Sequence, residues 1–262
     1  MADPQIVDLT PGNVSDYGLC GYKDVNKHKE LRDKIRWYSE YYERGLRIKA
    51  LMSEEGGYQG MIEYIPGAEA HRPVAAHDYM FIHCIFVGFK KEYKGRGYAT
   101  MLIGECIKDA RAAGMDGVAV VTRRGSFMAN SDIFLKMGFR IIEKAIPDFE
   151  LLALKFDESA EDPKFTIEED RLSKEYSEGL TILRSVQCPY TLKNVNAIVE
   201  TARRDYGLEP RVVDIANSRE AQRSPCAFGT FCIIHDGEII SYHPISNKRF
   251  QNIMERRIKN SG

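Results

Sequence analysis

Tyr93-Lys94-Gly95-Arg96-Gly97-Tyr98-Ala99-Thr100 is the stretch on which the reading of this 262-residue chain turns. Before it lies a long apolar run, Asp78 to Val87, with Y-M-F-I-H-C-I-F-V as its body. After it, Leu102, Ile103, Cys106, Ile107, Ala110 and Ala113 recur at helical spacing and Gly114 follows as a stop signal. The run reads as a central strand and the stripe as an amphipathic helix. Two glycines let the connecting backbone turn tightly and come close to a ligand, and the opening N–H groups and positive dipole end of the helix point back at it. Such a loop is built to hold an anion, and a pyrophosphate fits it. Lys94 and Arg96 add positive charge. G-x-G also occurs in plain connections, so the surrounding sequence carries part of the argument.

Working outward, Lys27 to Tyr42 reads as a helix with Leu31, Ile35, Tyr38 and Tyr42 on one face, followed by strands at Arg47 to Met52 and Gly60 to Tyr64. Beyond the central helix come a strand at Val118 to Val121, a short helix at Ser131 to Met137, and two strands at Phe139 to Ala145 and Phe149 to Phe156. The fold class is α/β, a mixed sheet covered by helices. An acidic run closed by proline, Asp157 to Lys164, follows the apolar Leu151 to Leu154 and marks a boundary. The division is 1–157 for the first domain, 158–178 for a charged linker and 179–262 for a second, smaller domain. There, a strand at Leu180 to Val186, a helix from Thr191 to about Tyr206 and a strand at Arg211 to Ile215 precede two strands, Thr230 to Ile234 and Glu238 to Tyr242. Asp236-Gly237 between the last two is a hairpin signal. Ser246 caps a final helix whose Phe250, Ile253, Met254 and Ile258 face inward.

With 37 basic and 38 acidic residues the net charge is -1, which gives no general attraction to nucleic acid or to an anionic membrane. The N-terminal M-A-D-P-Q-I has no targeting pattern, and no stretch approaches the roughly 20 apolar residues of a membrane span, so a cytoplasmic protein is expected. Six cysteines are scattered without zinc-site or disulfide-scaffold spacing and read as reduced thiols. His71 and His77, six apart in a loop, make no metal site, and no metal is expected.

Lys94-Gly95-Arg96-Gly97-Tyr98-Ala99 resembles the Q/R-x-x-G-x-G/A hallmark of the GNAT superfamily of acyl-CoA N-acyltransferases, with Lys94 in place of Gln or Arg. Ile133-Phe134-Leu135-Lys136-Met137-Gly138-Phe139 resembles that family's second hallmark, about 35 residues on. The resemblance covers roughly residues 5 to 156. It implies an acyl-CoA cosubstrate, most simply acetyl-CoA, bound by the backbone at Phe86, Val87 and Gly88 and at Lys94, Gly95, Arg96, Gly97, Tyr98, Ala99 and Thr100. It implies direct attack of an amine on the thioester, which needs a base for the ammonium and donors for the carbonyl oxygen. The family's strand-borne base falls at His83, whose imidazole suits the role, although a hydrogen-bonded core histidine is the competing reading. Cys84 is expected on the opposite face of that strand. The family's tyrosine acid falls at Phe134, which has no proton to give; Tyr98, Ser126 and Ser131 are the available substitutes. Residues 37 to 44, W-Y-S-E-Y-Y-E-R, fall where the family builds its acceptor wall and either cradle a cation or pack as a helix face. The loop Pro66 to His77 reads as a lid.

Gln187-Cys188-Pro189-Tyr190, with F-G-T-F-C-I-I-H-D-G-E-I-I further on, resembles the thioredoxin-fold domains of the YoaP-like family, fused behind GNAT domains. The resemblance spans about 180 to 262. Thr191 replaces the second cysteine of a C-P-Y-C box, so internal C-x-x-C cycling is excluded. Cys188 is expected at a helix N-terminus that lowers its pKa below the usual value of about 8.5. Its partner would be Cys226, a substrate sulfur or none, and Gly229 stands where a thioredoxin has its cis-proline. The function expected is acyl-CoA-dependent N-acyltransfer to a small amine or aminothiol, with His83 and Cys188 as catalytic candidates. The alternative is a thiol-binding or thiol-redox protein whose first domain binds CoA without catalysis. A homodimer is compatible with either.

Overall fold

The computed structural model describes residues 4–22, 24–53, 57–88 and 95–261. Strand β1 (Gln5–Leu9) and helix α1 (Lys29–Tyr42) precede β2 (Arg47–Ser53), β3 (Gly57–Pro66), β4 (Val74–Ala75) and β5 (Tyr79–Val87). Then come α2 (Tyr98–Ala112), β6 (Gly117–Arg123), α3 (Ser131–Lys136), β7 (Arg140–Ala145) and β8 (Phe149–Lys155). Seven of these strands form one mixed sheet in the order β1-β2-β3-β5-β6-β8-β7. β5 and β6 are its parallel pair, as a strand-helix-strand crossover through α2 requires. One face of the sheet buries Leu102, Ile103 and Cys106 of α2 and Phe134 of α3 against Ile62, Ile82 and Val120. The other face takes α1, through Leu31, Trp37, Tyr38 and Tyr41.

Residues 158–178 do more than space two halves apart. β9 (Lys164–Phe165) pairs with β4, Thr166 N–H bonds Pro73 O at 2.8 Å, and Glu168 pairs with Arg223 at 3.0 Å beside the short α4 (Asp170–Glu175). Beyond them lie β10 (Leu180–Arg184), a 3-10 turn at Pro189–Thr191 and α5 (Val195–Tyr206). β11 (Arg211–Asp214), α6 (Ser218–Gln222), β12 (Phe231–His235), β13 (Glu238–Ser241) and α7 (Asn247–Ser261) complete the chain. The second sheet runs β11-β10-β12-β13, with β10 parallel to β11 and antiparallel to β12. Asp236 and Gly237 both take positive φ in the β12–β13 turn, as a tight hairpin demands.

One hydrophobic cluster joins the two sheets: Phe81, Ala119, Val121, Phe149 and Leu151 pack with Ile182, Phe228, Phe231 and Ile234. The loop between β3 and β5 lies in this seam. Ala70, His71, Arg72 and Val74 are buried, and a Cβ on Gly229, at φ +76, would stand 2.8 Å from Arg72 Cα and 2.9 Å from His71 O. The segment expected as a lid is therefore a wedge that only glycine at position 229 admits. In α7, Phe250 and Met254 are buried, whereas Ile258, expected inward, is 58% exposed. No helix among the described residues is long and apolar enough to cross a membrane.

Candidate functional site

A cleft of about 480 Å³ opens at the β5–α2 junction. Val87, Gly88, Gly95, Arg96, Gly97, Tyr98, Ala99 and Thr100 line it from one side, and Asn130, Asp132, Ile133 and Lys136 from the other. Gly97, at φ +77, is the N-cap of α2 and supplies no side chain to its opening turn, so the backbone itself faces the cleft. Two expected members are not in this lining. Lys94 lies outside the described residues. Phe86 turns away, because strand alternation carries it to the α1 side of the sheet, where it packs with Met61 and Tyr58.

Further back along β5 from the cleft-lining Val87 and Gly88, the strands part. β5 and β6 pair only from Tyr79–Gly117 to Ile82–Val120, although both strands continue. Between the diverging ends lies a throat of about 20 Å³ bounded by His83, Cys84, Ile85, Val121 and Phe127. On the opposite edge of β5 the register with β3 skips: Glu63 pairs with Cys84 and Tyr64 with Ile82, leaving His83 as an extra residue. That bulge overturns the expectation that His83 and Cys84 face opposite sides. His83 meets the Phe81 ring at 5.8 Å and Glu63, while Cys84, opposite Glu63, packs into the cluster under α1.

His83 does not have the free nitrogen that a general base needs. Its Nε2 accepts the His71 N–H at 2.9 Å, which places the ring proton on Nδ1, and Nδ1 donates to Glu63 Oε1 at 3.1 Å. Burial lowers its pKa to about 4 against the opposing pull of Glu63, so the ring is neutral. Glu63 is wholly buried and accepts from Lys34 Nζ, His83 and Gln187 Nε2, the last at 2.7 Å. Burial by itself would raise the Glu63 carboxyl; the charge of Lys34 and the His83 bond outweigh it and hold it at about 2. Phe134 is fully buried with its ring 5.3 Å from that of Phe139, so it closes a core and supplies no acid.

The aromatic residues of α1 are a packed face. Trp37 stacks on Tyr41 at 4.9 Å, its Nε1 donates to His71 Nε2 at 3.3 Å, and the cation on its ring is the chain's own Lys34, 4.2 Å away. Glu40 points to solvent, its side chain 61% exposed.

Cys188 meets this network from the second sheet. Lys34 Nζ bonds the carbonyl of Gln187 at 2.5 Å, and Tyr190 OH donates to Cys20 O at 3.0 Å, so the residue before the cysteine and the one two places after it are tied to the first domain. The expected helix N-terminus is absent: Cys188 precedes a single 3-10 turn, and α5 opens only at Val195. Burial raises the Cys188 thiol, while a backbone bond from Tyr190 and the charges of Lys34 and Arg72 pull it down less strongly. The lowered pKa read from the sequence is thus overturned by desolvation. Thr191 has a structural part, its hydroxyl reaching the carbonyls of Ser185 and Cys188, the latter at 2.7 Å. All six cysteines are unbridged, and Cys226 directs its sulfur at Phe231 O, 3.7 Å, and Tyr242 O, 4.0 Å, within its own domain.

Four residues to which the sequence analysis gave no role at the site hold this interior together: Lys34, Glu63, Arg72 and Gln187, the last named only as part of a motif. Two carried a readable signal. Lys34 sits on the apolar stripe of α1, and Glu63 interrupts M-I-E-Y-I in a strand that is apolar on both sides. No group of three or more metal-ligating side chains occurs among the described residues.

Comparison with known proteins places these features. Residues 17–139 match the model of the acetyltransferase (GNAT) family, and residues 211–252 match the YoaP-like model. An uncharacterized N-acetyltransferase YoaP of Bacillus subtilis is 28% identical over 253 residues, covering 95% of this chain and 97% of its own length. Among solved structures, a GNAT-family acetyltransferase from Staphylococcus aureus is 15% identical with a TM-score of 0.42, covering 59% of this chain and 99% of its own. The PaiA N-acetyltransferase of Thermoplasma acidophilum, solved with coenzyme A, is 14% identical with a TM-score of 0.42, covering 59% of this chain and 100% of its own. This chain is built of a GNAT-family N-acetyltransferase domain followed by a C-terminal YoaP-like domain.

Proposed function

We propose that the chain transfers an acyl group, in the simplest case acetyl, from acyl-CoA to the amine of a small acceptor. The observation that carries the reading is the cleft at the β5–α2 junction. Its floor is backbone with two glycines at positive φ, and the throat where β5 and β6 part lies two residues back along β5, at Ile85. An anionic pyrophosphate suits the helix end, and an extended pantetheine suits the unpaired edge of β5. Gly95, Arg96, Gly97, Tyr98, Ala99 and Thr100, with Val87 and Gly88, would hold the cosubstrate. A thioester carbonyl delivered to the throat would meet backbone N–H groups that the parted strands leave without a partner strand.

The second domain shapes the acceptor side. Its strand order and directions support the thioredoxin-like reading of its sequence, and its Tyr190 and His243 rings stand 5.8 and 5.6 Å from Phe127 at the throat. A small amine or aminothiol would enter between them. Six unbridged thiols and a CoA cosubstrate fit a cytoplasmic protein.

Release of free CoA from acetyl-CoA across a panel of small amines and aminothiols tests the reading. Acceptor-dependent release supports it; tight acetyl-CoA binding with no release for any acceptor sinks it. That second result is what the alternative predicts, a thiol-binding protein whose first domain binds CoA without turnover. The engaged His83 and the apolar Phe134 are the observations in its favour.

A further inference from the structure

We propose that His243, a residue of the second domain, is the general base of the transfer, taking a proton from the acceptor ammonium through one water at the rim of the throat. The inference rests on the acyl-CoA transferase reading above and keeps the attack of the amine on the thioester direct.

That attack needs a proton acceptor near the parted strands, and few groups there can serve. Among the described residues that bound the throat, His83 and Cys84 are the ones that titrate. Both nitrogens of His83 are engaged, one by the His71 N–H and one with Glu63. Burial pushes the Cys84 thiol up to about 12, so near neutral pH it keeps its proton. Phe127 is the throat residue that reaches outward, 45% exposed, and two rings of the second domain pack on it. The Tyr190 ring stands 5.8 Å away, but its phenol already donates to Cys20 O at 3.0 Å, and burial raises its pKa. The His243 ring, 5.6 Å away and inclined at 34°, is the other.

His243 is set up differently from His83. Its Nδ1 lies 2.9 Å from Pro244 O. A carbonyl can only accept, so the ring proton is on Nδ1 and Nε2 carries the open lone pair. Among the described residues no group bonds that Nε2. The ring is half-buried, between a core and water, and its loop is firmly seated. Ser241 Oγ donates to His243 O at 2.8 Å, and Pro244 and Ile245 are buried. Tyr242 packs on two residues of the first domain, the Phe149 ring at 6.1 Å and the Arg123 guanidinium at 5.9 Å. An imidazole with one nitrogen oriented by a carbonyl and the other open is the form in which histidine accepts a proton. Phe127, against which the ring rests, is held at φ +71, a left-handed conformation that is costly for a bulky residue and of the kind that collects at functional sites.

The proton count closes. One proton passes from the ammonium through a water to His243 Nε2, leaving a neutral amine. Its nitrogen attacks the thioester carbonyl and the C–N bond forms. The C–S bond to CoA then breaks, and a second proton from the nitrogen ends on the departing sulfur. Amide, free CoA and a His243 imidazolium result, and the imidazolium returns its proton to solvent. Neither His83 nor Phe134 is asked for a proton.

The experiment uses full-length protein, acetyl-CoA and an amine that supports CoA release in the panel above. His243→Ala and His243→Gln should each lower kcat about 100-fold while acetyl-CoA affinity, read by calorimetry, stays as in the wild type. Free imidazole should restore part of the His243→Ala rate in proportion to its concentration and should leave His243→Gln and wild type unchanged. Undiminished turnover in either variant would overturn the base and leave the transferase standing. So would a loss in His243→Ala that imidazole does not relieve, which is the mark of a purely structural residue. Wild-type protein covers the case of a variant that fails to fold. Carbethoxylation by diethyl pyrocarbonate, mapped by peptide mass, should reach His243 and run in step with the loss of CoA release, and turnover that survives full modification of His243 would overturn the proposal. Wild-type protein that binds acetyl-CoA and releases no CoA with any amine would remove the transferase reading, and this inference with it.

Discussion

The cleft and the seam behind it are built on opposite principles. The cleft is open, its floor is backbone, and eight of its twelve lining residues come from one short stretch around the β5–α2 turn. The seam is closed, its groups are charged side chains, and its members come from α1, β3, the β3–β5 loop, β5 and the segment before α5. Lys34 and Gln187, bonded to one another, stand 153 residues apart. A phosphate can be held by one well-made turn, whereas a buried charge needs partners on every side, and those come from wherever the fold brings them.

The sharpest way to break that contrast is Glu63→Ala. It leaves Lys34 buried without a counter-charge and strips His83 and Gln187 of their acceptor, and a loss of about 3–5 kcal/mol in chemical denaturation is expected. A loss under about 1 kcal/mol would mean that the seam is wet and loosely held. Acid titration sharpens the same point. The Glu63 carboxyl lies at about 2, below its ordinary 4.5, so its contribution is full above 4.5 and lost as pH falls toward 2. His83 lies at about 4, below its ordinary 6.5, so the unfolded chain binds its proton first and stability already declines as pH falls from 6.5 to 4. Denaturation midpoints should therefore fall continuously from about pH 6.5 downward, and a flat profile to pH 4 would refute a buried neutral His83.

Gly229→Ala probes the wedge with no change of charge. The added Cβ meets backbone at 2.8 and 2.9 Å in a left-handed conformation, and about 2–3 kcal/mol of destabilisation is expected by thermal unfolding. At the cleft the outcome should differ in kind. Gly97→Ala places its Cβ in open space at φ +77, so stability should fall by only about 1 kcal/mol while acetyl-CoA affinity, read by calorimetry, drops about tenfold. Smallest of all, Ser246→Ala removes the bond from Arg249 N–H to Ser246 Oγ at 3.2 Å and should cost about 1 kcal/mol without affecting acetyl-CoA binding.

Legibility followed the same division. Periodicity located α1, α2, β5 and β6 to within a residue or two, because each buries an apolar stripe that local spacing displays. It missed β4, β9, α4 and α6, which are two to six residues long and owe their form to bonds with distant segments. It also started the helix after Cys188 too early. Leu192, Val195, Val199 and Ala202 keep helical spacing, yet the Thr191 hydroxyl and the two bonds at Gln187 hold the preceding turn in another shape. The facing of His83 and Cys84 failed for a related reason: strict alternation assumes an unbroken ladder, and a one-residue bulge is invisible to it.

By itself, then, the sequence determined the order of elements, the strand-to-helix turn with its two glycines and the presence of a single thiol before a proline. All of these are properties of neighbouring residues. Tertiary structure alone decided the protonation of that thiol, the loss of a free nitrogen on His83 and the bond from Lys34 to the Gln187 carbonyl beside Cys188. Charge and basicity depend on desolvation and on hydrogen-bond partners, and those partners are fixed only when segments far apart in the chain close on one another.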